Sequence, residues 1–216
     1  MRTYKIHLIR HGLTRGNLEG RYIGVTDLPL CPQGRAQLEE LLEQGEYPMV
    51  ERVYVSPLLR ARQTAQLLFP GWEPVELAGL REMDFGAFEG RTGEELEGTP
   101  DFASWISSPQ AAPPGGESAG QLMQRVAGAI AHIFAQMMEE KLYSVAAVTH
   151  GGIIAGLLAS MGLPQREAVR WSVGPGEGYT LLLTPQMWMR DQKFEVYGRL
   201  PLPRELFAEQ ADWYCL

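Results

Sequence analysis

The chain has 216 residues, 45% hydrophobic and 21% charged, with a formal net charge of −7. These values suit a soluble globular protein with apolar residues enough for one large core or two small ones. The acidic balance argues against nucleic acid and anionic membrane surfaces as main partners, but not against a small anionic substrate held by local arginines. Two distant cysteines, Cys31 and Cys215, imply no disulfide framework. No apolar signal core precedes the first strand and no run of 18 or more apolar residues occurs, so a cytoplasmic location is expected.

Tyr4 to Ile9 reads as a short strand that delivers Arg10 and His11 to a turn at Gly12. The spacing of Ala36, Leu38, Leu41 and Leu42 predicts a helix over 32–43, with Pro32 in its first turn. Arg52 to Val55 is a second strand, followed by a helix over 58–69 that Pro70-Gly71 closes. Pro74 to Leu77 is a third. From 79 to 118 the chain is irregular, with short helical pieces at 94–96 and 102–106 and a Pro113-Pro114-Gly115-Gly116 loop. Ser118 and Gln121 form a capping box for the longest helix, 118–138. Val145 to Val148 is a compact apolar strand, and Thr149-His150-Gly151-Gly152 opens the next helix. Tyr179 to Leu183 and Phe194 to Tyr197 are further strands. Strands alternating with helices predict an α/β fold, a three-layer α/β/α sandwich with a mainly parallel central sheet. One domain over 1–216 is expected, with 79–118 as an excursion over one end.

In such a sheet, ligands bind beyond the C-terminal ends of the strands. Three strand ends offer His11, His150 and several arginines to one edge. Arginine presents a fork of donors that matches phosphate oxygens, and glycines at 12, 151 and 152 let backbone N–H groups approach an anion at a helix N-terminus. A neutral imidazole can attack phosphorus, and nearby arginines help to keep it neutral. His7 and His132 read as structural. No metal site is expected: His7 and His11, four apart on a strand, are separated by about 13 Å. Gly151 to Gly156 has the glycine spacing of a nucleotide loop, but Leu157 stands where its lysine belongs. There is no G-x-S-x-G elbow.

The stretch LIRHGLTRGN at 8–17 resembles the RHG signature of the histidine phosphatase superfamily, in the branch that contains cofactor-dependent phosphoglycerate mutase. DLPLCPQGRAQ, VSPLLRARQTA, LREMDFGAFEGRT, PPGGES and VTHGG follow in the family's order, covering residues 4 to about 155. The resemblance implies a phosphoglycerate mutase-like fold and a metal-independent phosphomonoester hydrolase without a cofactor, acting on a small phosphorylated substrate. It implies that His11 becomes phosphohistidine, and that Arg10, Arg62 and His150 bind the phosphoryl oxygens beside Gly151. Asn17 adds an amide donor, and Glu82 serves as proton donor and later as base for water. Arg21 lines the substrate pocket. Arg60 matches a more variable position and stands outside the phosphate contacts. Cys31 replaces the family's usual Thr or Ser before Pro32, a weaker cap by about 1 kcal/mol. The motifs are most similar to those of alpha-ribazole phosphatase. A phosphoglycerate mutase is the alternative, disfavoured because 91–121 holds no Lys or Arg after Arg91. The rival of another class, an inactive phospho-ligand-binding module, would typically have lost His11 or Glu82.

Overall fold

The computed structural model describes residues 2 to 205; Cys215 and the end of the expected domain lie outside them. In chain order the first half contains β1 (Tyr4–Arg10), α1 (Arg15–Leu18), α2 (Pro32–Gln44), β2 (Gly45–Glu46), β3 (Arg52–Val55), α3 (Leu59–Leu68), β4 (Val75–Glu76), α4 (Gly93–Leu96) and α5 (Pro100–Ser107). The second half contains α6 (Ala119–Glu140), β5 (Ser144–Thr149), α7 (Gly151–Met161), β6 (Gly162–Leu163), β7 (Gly178–Leu183), α8 (Pro185–Asp191), β8 (Phe194–Leu200) and β9 (Leu202–Pro203).

Seven strands form one sheet in the order β4-β3-β5-β1-β7-β8-β6. The four from β4 to β1 are parallel. β7 runs antiparallel to both its neighbours, and β6 runs with β8, so β7 alone is reversed. Successive side chains of a strand point to opposite faces, and here both faces are apolar. Ile6, Leu8, Tyr54, Val145 and Ala147 pack with α6 and α7, whereas Ile9, Val53, Val55, Ala146 and Val148 pack with α2 and α3. The three layers expected from the sequence are those observed. α6 is fixed at its start by the reciprocal Ser118–Gln121 bonds of 2.9 and 3.2 Å. No helix among the described residues is long and apolar enough to cross a membrane.

Strand register places the site. Arg10 pairs with Thr149, and Val55 with Val148. The ladder runs one step further, with His11 N–H donating to the Thr149 carbonyl and Ser56 N–H to that of Val148, both at 2.9 Å. His11, His150 and Ser56 therefore emerge together where three parallel strands end.

Candidate active site

His11 is only 4% exposed. Its Nδ1 lies 2.6 Å from the Gly12 carbonyl. A carbonyl only accepts, so Nδ1 carries the proton and Nε2 of the neutral ring keeps its lone pair. The His150 ring stands 5.0 Å away, centroid to centroid, at 63°. It is fully buried, with Nε2 2.8 Å from Ser56 Oγ and Nδ1 without a partner among the described residues. Burial, then the charge of Arg60, holds the His11 pKa down at about 3, against the upward pull of the Gly12 bond; Arg10 lowers it further. Burial, and next the His11 ring, holds His150 well below the usual imidazole range. Both rings are neutral at pH 7.

Gly12 has a different task from the one its sequence suggests. Its N–H is not free for an anion but donates to Thr64 Oγ1 at 3.0 Å. A methyl group at Gly12 would lie 2.8 Å from Leu38 Cδ1, so the glycine permits close packing on α2. Gly151 serves Arg10, whose guanidinium crosses it so closely that a Cβ would lie 3.1 Å from Nε. Arg10 Nη1 donates to the Val173 carbonyl at 2.7 Å, while the buried Nε has no partner among the described residues. α7 begins at His150 without a side-chain cap. Buried unpaired donors cost stability, and here they collect where an oxygen-rich anion would satisfy them.

The structure corrects one arginine. Arg62 points away, its half-exposed guanidinium 3.3 Å from Glu76. Arg60 is 1% exposed and donates to the carbonyls of Thr26 at 3.0 Å and Gly24 at 2.7 Å. Its charge bears on His11, His150 and Glu82. The cause is helical geometry: residues 60 and 64 share the inward face of α3, and a step of two positions turns a side chain by about 200°.

Glu82 Oε1 accepts the Met83 N–H at 2.9 Å, and a Cβ at Gly152 would meet that oxygen at 3.4 Å. The carboxyl thus faces the first turn of α7. Burial raises its pKa, outweighing the Met83 bond and the charges of Arg60, Arg10 and Arg125. Two supporting roles escaped the sequence reading. Arg125 of α6 donates to the carbonyls of Gly79, Arg81 and Glu82 at 3.1, 2.8 and 3.4 Å and pairs with Glu117 at 2.7 Å, clamping the segment that carries Glu82. Glu89 accepts the N–H groups of Gly24, Val25 and Phe85 at 3.0, 3.0 and 3.2 Å, tying two loops together. A helical arginine beside apolar neighbours and a carboxylate among loop glycines were the available signals, and neither is specific.

Asn17 and Arg21 line the same cavity as Glu82, of about 440 Å³. Asn17 Oδ1 accepts from the Thr14 N–H and O–H, both at 3.0 Å, so only its amide NH₂ remains to donate. The Cys31 thiol does cap α2, accepting the Gly34 N–H at a long 3.4 Å. His7 is a core residue, with Nδ1 3.0 Å from Thr180 Oγ1 and Nε2 3.1 Å from Ser144 Oγ. His132 is exposed on α6.

These buried rings set an acid limit on stability. His7, like His11, is held at about 3, by burial first and Lys5 second. A folded-state pKa below the unfolded value of 6.5 means that the unfolded chain takes up the proton first. Stability is therefore full above pH 6.5 and is lost as pH falls, by about 1.4 kcal/mol per unit for each ring. Glu82, with its raised pKa, contributes in the opposite sense, one group against three. The urea midpoint is expected to fall steeply from pH 6.5 to 4.5, and less steeply in His7→Gln. A flat profile would show that the folded rings take up protons freely.

This end of the sheet presents an imidazole nitrogen with a free lone pair beside donors suited to an anion. The chain belongs to the histidine phosphatase superfamily, whose branch 1 model matches residues 6–191. It is 32% identical to the adenosylcobalamin/alpha-ribazole phosphatase of Salmonella typhimurium over 162 residues, 73% of this chain and 79% of the relative. It is 31% identical to an acid phosphatase of Mycobacterium tuberculosis over 180 residues, 80% and 83% of the two chains. The crystal structure of the alpha-ribazole phosphatase from Shigella flexneri superposes with a TM-score of 0.72 at 26% identity, covering 84% of this chain and 92% of that one. The chain is a phosphatase whose chemistry runs through histidine.

Proposed function

We propose that the chain hydrolyses small phosphomonoesters in two steps, with His11 as the nucleophile. The observation that carries this reading is the 2.6 Å bond from His11 Nδ1 to the Gly12 carbonyl, which leaves the Nε2 lone pair available. Nε2 attacks phosphorus as the ester oxygen departs. Arg10, Arg60, His150, the Asn17 amide and the Gly151 N–H hold the charge on the equatorial oxygens. Glu82, whose pKa burial raises, gives its proton to the leaving alkoxide. Water then attacks phosphohistidine while the Glu82 carboxylate takes a proton from it, and inorganic phosphate leaves. Arg62 has no part in this scheme. The sequence motifs and the named activity of two relatives make alpha-ribazole phosphate the first ester to try.

Quenching turnover of a ³²P-labelled ester is expected to trap label on His11, in a bond labile to acid and stable to base. His11→Ala abolishes the label. Hydrolysis continues in excess EDTA, because no step requires a metal. Label on a serine or on His150, or activity lost to chelation and restored by a divalent cation, would overturn the scheme.

A further inference from the structure

The cavity beside Glu82 says what the leaving alcohol is like. Tyr22, Phe85 and Trp105 form one wall, and Leu122 and Met123 stand among the other lining residues. The three rings meet edge to face or tilted: Tyr22 and Trp105 at 5.4 Å and 82°, Phe85 and Trp105 at 5.9 Å and 83°, Tyr22 and Phe85 at 5.2 Å and 56°. Trp105 comes from α5, which has no buried residue of its own. Gly156 of α7 completes the enclosure, and a Cβ there would lie 3.0 Å from the Met123 sulfur. A side chain at 156 would require the end of Met123 to give way.

The polar lining is Asn17, Arg21 and Glu82. Arg21 is the only cation among them, and it is spoken for. Its Nε lies 2.7 Å from Glu19, and its Nη1 donates to the Gly90 carbonyl at 2.6 Å and lies 3.6 Å from Glu95. Two carboxylates offset its charge, Glu19 being shared with Arg15 at 2.6 Å. Aromatic faces carry negative partial charge and repel anions, while they attract the positive edge of another ring.

We infer that the Tyr22–Phe85–Trp105 wall, with the charge of Arg21 offset by Glu19 and Glu95, selects phosphomonoesters of uncharged aromatic alcohols and excludes alcohols that bear a second anionic group. This rests on the hydrolase reading above and adds to it a specificity, with Trp105 as its main determinant. Stacking geometry, rather than ion pairing, then orients the ester oxygen toward Glu82.

Benzyl phosphate, glycerol 1-phosphate and 3-phosphoglycerate test this, since all three release basic alkoxides and make equal demands on the acid. The expected order of kcat/KM is benzyl phosphate, then glycerol 1-phosphate, then 3-phosphoglycerate, with about 100-fold between the extremes, the scale of pocket discrimination. Trp105→Ala is expected to lower kcat/KM for benzyl phosphate about tenfold, mainly through KM, and to lower it much less for glycerol 1-phosphate. Trp105→Phe, a milder replacement, retains most of the preference. The double substitution Glu19→Gln and Glu95→Gln frees Arg21 and raises kcat/KM for 3-phosphoglycerate, a gain that misfolding cannot mimic. Equal rates for the three esters in the wild type, or equal losses on two esters in Trp105→Ala, would overturn the specificity while leaving the hydrolase reading intact. Absence of phosphohistidine with every ester would instead overturn the hydrolase reading.

Discussion

Arg60→Ala is expected to lower kcat/KM by about 10²- to 10³-fold, the usual cost of removing one donor from preorganised transition-state charge stabilisation. Arg62→Ala is expected to cost no more than a few-fold, because an exposed ion pair such as Arg62–Glu76 contributes little. The contrast is large because the two side chains leave α3 in opposite directions. Arg60 has a second duty, since two of its donors hold the Thr26 and Gly24 carbonyls. Circular dichroism and the urea midpoint must therefore be recorded for the variant. Arg60→Lys separates the duties: it keeps the charge but lacks the planar fork, and is expected to recover only part of the activity. If Arg62→Ala shows the large loss and Arg60→Ala the small one, the phosphate contact belongs to Arg62.

Glu82→Gln carries the second large effect, and it depends on the leaving group. An alkyl alcohol departs as a strongly basic alkoxide, so loss of the acid is expected to slow phosphorylation of His11 by about 10²- to 10⁴-fold. Nitrophenolate leaves without a proton, and its phosphorylation step is expected to be nearly unaffected. The comparison requires burst or single-turnover kinetics, because the variant also lacks the base for dephosphorylation. The pH dependence has a definite sign: a raised pKa keeps the carboxyl protonated to higher pH than usual, and alkyl-ester hydrolysis falls as pH rises through it. Equal slowing of the two esters would remove Glu82 from the role. The alternatives nearby are already engaged, Asp84 with the Gly86 N–H at 2.9 Å and Glu89 with four N–H groups and the Thr26 hydroxyl.

The catalytic end of the sheet was legible because strands bury both faces and then stop. Ile6 to Ile9 and Val145 to Val148 are apolar runs broken by a histidine and a glycine, a pattern that marks a strand tip. The arginine of α3 was misread because Arg60 and Arg62 sit in one short motif and only the face of the helix tells them apart. That face was available: Ala61, Thr64, Ala65 and Leu68 are the buried companions of Arg60. Gly12 was misjudged for a related reason, since a glycine after a strand looks the same whether it admits an anion or a leucine. α8 was missed although Thr184-Pro185 begins it, with Thr184 accepting the Met187 N–H at 3.3 Å. β6 has two residues, too few to show alternation. Arg125 and Glu89 act on backbone carbonyls and N–H groups of distant loops, contacts that no local pattern records.

β1 is hydrogen-bonded to β5 on one side and to β7 on the other almost throughout its length, whereas α5 buries no residue. His11 and the helix that carries Trp105 thus belong to opposite ends of the local-stability scale. Backbone amides of β1 are expected to exchange with solvent only when the whole domain opens, and those of α5 through small local excursions. The division separates two kinds of evolutionary change. Residues 100–107 are expected to tolerate change at less cost in folding than β1, while the strand ends behind them stay fixed.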